Sequence, residues 1–513
     1  MINFKEFISN SGEIILYTGN PDFSILEELS KGFGDIWHSS LDQGYKNAFP
    51  EIVYQTATFF WFVKDFDGLE QCISWRINPN QFAIRKSVWE TLNGFDDEIE
   101  NPVMKAFDFG FNSLRYQGAI PLYIKGLFAE KEINPIKIST KDRYVFFRKN
   151  FKKEHSLFMI YRKGIWNFNE WNAYFYAKKK FTLRTKHEIV NPRELNEIEG
   201  KPKVSYIIPT MMRQDFTLNL LNDLARQTYT PTQVVIVDAT PENQRDESLY
   251  NTNNYPFELI VKWQTSKGSC RARNEGIELS TGDYIVFGDD DIRVPNNYIE
   301  NHIRFLQTYN GDACNGLDIR ADHQKQDLND LDEKLRKFGT KRYLSGAAQL
   351  YNNANNCVKR EFVSKLVGND VNYDGGYGED NDFGLSLTKI GVVVLQNPFS
   401  TNLHLKPPIG GYRFWGSQAK ILGKKRKQQP WELNIPVKKI IPKPSPTIMY
   451  YFYKHFGEDL VKEFKHKYFF LYLFKGSKVA ILLRFFKMPY RLMQFNKSVF
   501  YAKNLLALGK RTS

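Results

Sequence analysis

Between Ser205 and Asp291 four short apolar runs recur, each closing on polar residues: SYIIPT, QVVIVDAT, ELIVKW and DYIVFGDDD. An amphipathic stretch near 215–227 separates the first two. Runs this short and this uniformly apolar read as strands buried on both faces. Strands alternating with helices imply a mostly parallel sheet with helices on both sides, a Rossmann-like α/β architecture.

The chemistry then concentrates where such a sheet opens. Ligands of open α/β sheets bind beyond the C-terminal ends of the strands. Asp289, Asp290 and Asp291 stand there, after DYIVF, with Gly288 as a hinge. In extended chain Asp289 and Asp291 face the same way. A carboxylate pair of this kind suits magnesium or manganese, hard cations that prefer oxygen ligands. Such a pair can hold the cation against a diphosphate and offset charge as a leaving group departs. A solvated acidic turn is the plainer alternative for a bare triplet.

A second acidic cluster, GGYGEDND at 375–382, opens a helix. Acidic residues also favour a helix N-terminus through the macrodipole. As a general base, Asp380 is the candidate, with crowding among Glu379, Asp380 and Asp382 expected to raise at least one pKa. His404, in NLHLKPPIGGYR, follows a strand that comes after this cluster and is a candidate metal ligand. Lys406 and Arg413 flank Gly410 and Gly411, a turn that could act as a lid over a diphosphate. Arg271 and Arg273, with the helix start after Gly268, offer further anion-binding donors.

A faint repeat precedes this region. VKREFV leads to DNDFG as IRKSVW leads to AFDFG, and both Arg360 to Asp382 and Lys86 to Asp108 span 22 positions. YVFFRKNF at 144–151 then echoes YYFYKHF at 450–456. The chain is therefore expected to divide into a shortened degenerate copy (1–135), a basic aromatic helical segment and linker (136–198), the main α/β domain (199–423) and a basic amphipathic helical tail (424–513). Lys105, Ala106 and Phe107 stand where Glu379, Asp380 and Asn381 stand later, so the first copy is expected to be catalytically silent.

The net charge of +14 belongs to the tail, where 20 Lys or Arg face 4 Asp or Glu. The other residues sum to −2. Basic residues interleaved with Tyr, Phe and Leu suit an anionic membrane surface, and no nucleic-acid motif accompanies them. Four scattered cysteines argue against a disulfide framework. With no apolar run long enough to span a bilayer, the chain is expected in the cytoplasm, on the inner face of the membrane.

Taken in order, SYIIPTMMR, QVVIVDAT, GSCRARNEGIELSTGDYIVFGDDD and GYGEDND resemble glycosyltransferase family 2, inverting enzymes of the GT-A fold, over about residues 203–423. The resemblance implies transfer of a sugar from a nucleotide-sugar, with UDP-sugar the expected donor, to a glycan or lipid-linked acceptor in surface polysaccharide synthesis. It places Pro209, Thr210 and Asp238 along the nucleoside and Arg273 and Asn274 beside the base and diphosphate. Asp289 would approach the ribose with Asp290 in the same donor-binding set, Asp291 would hold the metal, and Asp380 would be the base. The family's Asp-Asp-Gly-Ser after the second strand is here Asp238-Ala239-Thr240, so one acidic contact is missing. Two other readings stand beside it. A sugar-nucleotide nucleotidyltransferase shares a similar sheet but needs a glycine-rich basic loop where Pro209-Thr210-Met211 stands. A non-catalytic glycan-binding scaffold is the other.

Overall fold

In the computed structural model two sheets carry the chain. It describes residues 3–55, 60–66, 68–129, 136–250, 255–408, 410–412, 428–474 and 478–513. The first sheet has six strands in the order β1-β2-β5-β3-β6-β4: β1 (Lys5–Ile8), β2 (Ile14–Tyr17), β3 (Ile36–His38), β4 (Gln71–Ile73), β5 (Phe82–Arg85) and β6 (Pro121–Ile124). The second has eight, in the order β11-β14-β12-β13-β10-β7-β8-β9. They are β7 (Val204–Thr210), β8 (Gln233–Asp238), β9 (Glu258–Trp263), β10 (Tyr284–Phe287), β11 (Ile292–Arg293), β12 (Ala313–Arg320), β13 (Asn356–Lys359) and β14 (Val394–His404).

The four apolar runs become β7, β8, β9 and β10, which pair in parallel. All residues of β7 and β8 are buried, as strands covered on both faces require. Beyond β10 the sheet is mixed rather than mostly parallel. β13 pairs antiparallel with both β10 and β12, β12 pairs in parallel with β14, and β11 turns back antiparallel on β14.

That mixed half occurs twice. β2-β5-β3-β6 pairs antiparallel, antiparallel, then parallel. β10-β13-β12-β14 follows the same directions in the same chain order. The register agrees as well. Ile15 lies opposite Arg85 as Tyr284 lies opposite Lys359. Counted on from there, Gly19 falls where Gly288 does and Asp22 where Asp291 does. The polar anchors also correspond. Lys149 pairs with Asp96 at 2.7 Å, and Lys454 with Asp370 at 2.8 Å. Asn150 donates to Asp108 at 2.6 Å, and His455 meets Asp382 at 2.7 Å. No counterpart of β7, β8 and β9 stands beside the first copy among the described residues.

The segment between the copies runs extended along the helix Tyr298–Thr308. Arg193 N donates to Tyr309 Oη, Asn196 N to Thr308 Oγ1, and Arg304 Nε to Asn196 O. The C-terminal residues form two long helices, Pro446–Phe474, kinked at Gly457, and Lys478–Leu508. They pack on the helical segment after the first copy through Arg162–Glu463 at 2.6 Å and Phe158–Phe470, and on the first copy itself where Lys467 donates to Tyr54 O.

Candidate active site

Beyond the ends of β7, β10 and β14 lies a cleft of about 380 Å³. Pro209, Arg273, Asp289, Asp290, Asp291, Asp380, His404 and Lys406 line it, so the two acidic clusters and the histidine converge. The chain reaches this point through a tight approach at Gly288. A Cβ there would lie 2.1 Å from Tyr206 Oη, so the residue is fixed by packing as much as by flexibility.

One ligand atom from each of Asp289, Asp291 and His404 falls within 4.8 Å of the others. β11 and β14 create this proximity by pairing Ile292 with His404, one residue beyond the aspartates. His404 Nδ1 sits 3.1 Å from Asp318 Oδ1, and Nε2 sits 3.2 Å from Asp291 Oδ1. This is the outer carboxylate arrangement that orients a metal-binding imidazole. Two carboxylates and one imidazole, all nearly buried except the partly open Asp289, fit a hard divalent cation. Burial alone would lower the His404 pKa, but its contacts with Asp291 and Asp318 raise it to about 10.

Arg213 was missed in the sequence. Its Nη1 lies 3.1 Å from Asp290 Oδ1 and 3.0 Å from Asp291 Oδ2, and its Nη2 donates to Gly410 O at 3.3 Å. Asp290 also accepts from Thr210 Oγ1 at 2.7 Å; burial raises its pKa. Arg273 Nη2 donates to Asp289 Oδ1 at 2.8 Å. Its Nε and Nη1 are buried with no partner among the described residues. A fully buried guanidinium with idle donors is suited to receive an anion. Asp380 Oδ1 accepts from Asn353 Nδ2 at 2.7 Å.

Several expected residues stand elsewhere. Asp238 is fully buried and accepts from Thr240 N at 2.7 Å and Tyr250 Oη at 2.8 Å. Thr210 turns its hydroxyl inward to Asp290. Asn274 binds Asn369 and Thr512 instead, joining its helix to the C-terminus. The start of the helix Ser269–Leu279 is occupied internally, because Cys270 N donates to Asp374 Oδ1 at 2.8 Å. Asp382 points away from the cleft. Burial would raise its pKa, but His455 and Lys454 outweigh that and bring it to about 2, so crowding does not raise this carboxyl. Of the expected lid, Gly410 and Gly411 line the cleft, and Tyr412 reaches Val237 O and Gln264 at 3.4 and 3.3 Å. Arg413 lies outside the described residues.

A half-parallel, half-mixed sheet with acidic residues after its fourth strand defines an α/β domain of the GT-A type. Residues 205–366 match the family model "Glycosyl transferase family 2". Uncharacterized glycosyltransferase YibD of Escherichia coli (strain K12) is 34% identical over 93 residues, 18% of this chain and 27% of that protein. Poly(ribitol-phosphate) beta-N-acetylglucosaminyltransferase TarS of Staphylococcus aureus (strain Mu50 / ATCC 700699) is 27% identical over 117 residues, 22% of this chain and 20% of that protein. The matches thus span about a quarter or less of these relatives. Among solved structures, mannosyltransferase PcManGT from Pyrobaculum calidifontis, in complex with GDP-Man and Mn2+, is similar with a TM-score of 0.35 and 19% identity. It covers 62% of this chain and 89% of that one.

Proposed function

We propose that this chain is an inverting, metal-dependent glycosyltransferase that uses a nucleotide-sugar, with UDP-sugar the expected donor. The observation that carries this reading is the juxtaposition, in one cleft, of an Asp289–Asp291–His404 ligand set, the idle donors of Arg273 and the carboxylate of Asp380. The donor diphosphate lies between Arg273 and the ligand set, which a bound divalent cation complements by neutralising phosphate charge. The acceptor hydroxyl approaches the anomeric carbon from the side of Asp380. A new carbon–oxygen bond forms as the bond from that carbon to the diphosphate breaks, and Asp380 takes the hydroxyl proton. Asn353 orients the carboxylate for that transfer.

The acceptor in this reading is a growing polysaccharide or a lipid-linked glycan. The relatives named as glycosyltransferases support the class. Nucleotide-sugar hydrolysis with manganese tests it. The full chain should release free sugar and nucleoside diphosphate, and Asp291→Asn should abolish the release. Nucleotide-sugar binding with no turnover in the presence of any acceptor would favour the glycan-binding scaffold.

A membrane-facing side is part of the same proposal. Trp166 and Phe168 of the helical segment after the first copy are 84% and 79% exposed, and Phe485 and Phe486 of the last helix 64% and 74%. The same helices enclose an apolar cleft of about 770 Å³, lined by Tyr161, Ile165, Trp171, Phe469, Phe470 and Met488 and edged by Lys462 and Lys465. Exposed aromatic side chains beside lysines match an anionic lipid surface. Among the described residues no helix is long and apolar enough to cross a membrane. The chain should sediment with phosphatidylglycerol vesicles and not with phosphatidylcholine vesicles. A Trp166→Ser, Phe486→Ser double variant should lose that binding, and unchanged sedimentation would reject this side as the contact.

A further inference from the structure

A second open groove, of about 560 Å³, adjoins the donor cleft and shares Arg320, Asn352 and Asp380 with it. Its charge is distinctive. Four cationic side chains, Arg115, Arg320, Lys341 and Arg342, line it against two carboxylates, Asp318 and Asp380. Asp318 is already committed to His404, Asn402 and Arg320, at 3.1, 2.8 and 3.2 Å. The balance left to a ligand is positive.

The groove also crosses the seam between the two copies. Its floor is β12, and one wall carries Leu114 and Arg115 from the first copy. Gln349 Nε2 fixes that wall by donating to the carbonyls of Leu114 and Arg115 at 3.3 and 3.0 Å. Arg115 is braced from below, with its guanidinium 5.1 Å from the Phe60 ring and 5.6 Å from the Phe111 ring, and Nη1 donating to Gln55 Oε1 at 3.3 Å. Ring faces hold an arginine in place without using up its donors. The first copy therefore presents a positioned cation to a groove whose inner end is Asp380.

We propose that this groove is the acceptor subsite and that it takes a phosphate-bearing polyhydroxyl acceptor, with the silent first copy supplying Arg115 to the phosphate. The inference rests on the transferase reading for the word acceptor, since only a hydroxyl delivered to Asp380 gives the groove that role. Planar guanidinium groups bind phosphate or carboxylate oxygens in pairs, and phosphate is favoured because its higher negative charge matches several cations in one groove.

The test measures binding to the full chain of three six-carbon linear probes, sorbitol, gluconate and sorbitol 6-phosphate, by microscale thermophoresis without donor. Sorbitol 6-phosphate should bind at least tenfold more tightly than either of the others. Arg115→Gln, Arg342→Gln and the exposed Lys341→Gln should each cut that preference at least threefold, and Arg273→Gln should leave it. Lys341→Gln keeps the test decisive if Arg115→Gln misfolds. Equal binding of the three probes, no binding of any, or a preference lost only in Arg273→Gln would overturn the proposal. UDP binding with manganese, measured on the same samples, separates the two readings. In the unsubstituted chain, failure to bind UDP with the phosphate preference intact sinks the transferase reading, and the reverse sinks the groove.

Discussion

The two copies share strand order, pairing direction and polar anchors, yet one opens into a carboxylate cleft and the other closes over aromatic rings. Where the second copy has Asp380 and Asn381, the first has Ala106 and Phe107, both fully buried. Phe107 packs edge-on against Tyr45 and Trp75, with ring centroids 6.0 and 5.6 Å away. The difference teaches that the half-sheet is only a frame. The site comes from the end of β7 and Arg213 beyond it, from Arg273, from the residues after β10, from His404 at the end of β14 and from the helix start at Glu379. The largest expected effect follows. Asp291→Asn should lower sugar transfer by on the order of a thousandfold, about 4 kcal/mol of transition-state stabilisation. Steady-state kinetics with manganese would check it, and near-normal turnover would dissolve the contrast between the copies.

A second expectation sharpens the comparison through a buried histidine. His38 ends β3 where Asn315 lies in β12, by the shared register. It is fully buried between Ser74 O and Ser40 Oγ, and burial lowers its pKa to about 4. The unfolded chain binds this proton near pH 6.5 and the folded chain only near 4. Stability is therefore lost as pH falls between those values, by about 3 kcal/mol in all. His38→Asn should remove that part of the acid sensitivity, read from urea unfolding at pH 7 and pH 4.5.

Asp382 titrates in a lower window. Its folded pKa of about 2 lies below the ordinary value of 3.8, with burial opposed by His455 and Lys454. Its contribution is complete above about pH 4 and is lost as pH falls toward 2, on the order of 2 kcal/mol. Asp382→Asn should weaken the chain at pH 7 and flatten its acid limb below pH 4. An unchanged limb would show that the Lys454 and His455 anchor carries no net charge coupling.

Much of this was readable in the sequence, for physical reasons. The apolar runs announce β7, β8 and β10 because parallel strands covered on both faces are built mainly of apolar residues, while β9, at the sheet edge, is only partly buried. The equal 22-residue spacings expose the repeat because strand, helix and anchoring aspartate must recur at fixed distances to rebuild the same half-sheet. What escaped depends on long-range contact. Arg213 meets Asp290 and Asp291 across the β7 turn, and Asp318 reaches His404 only through the pairing of β12 with β14. Asp238 and Asn274 carry motif residues, but Tyr250 seals the first and Thr512, from the far end of the chain, captures the second. A motif specifies residue types in order and cannot foresee which distant group will occupy them.

The smallest effect concerns how each copy begins its equivalent helix. In the first copy the helix Pro102–Asn112 starts at Asn101, whose side chain accepts from Met104 N at 3.0 Å, with Pro102 at the first position. In the second, Gly375, Gly376 and Gly378 replace that opening turn, and the helix starts at Glu379 with no side-chain cap. Gly376 leaves no room for a side chain, since a Cβ would lie 2.4 Å from Thr447, and Gly378 takes a left-handed φ of 102°. The helix therefore opens at Glu379, and Asp380 in its first turn lines the cleft. Asn101→Ala should cost about 1 kcal/mol of stability, as loss of a cap does, and leave transfer unchanged. Denaturant melts alongside a transfer assay would check both halves. A loss of transfer at constant stability would mean that the first copy's helix start is coupled to the acceptor wall it carries at Arg115.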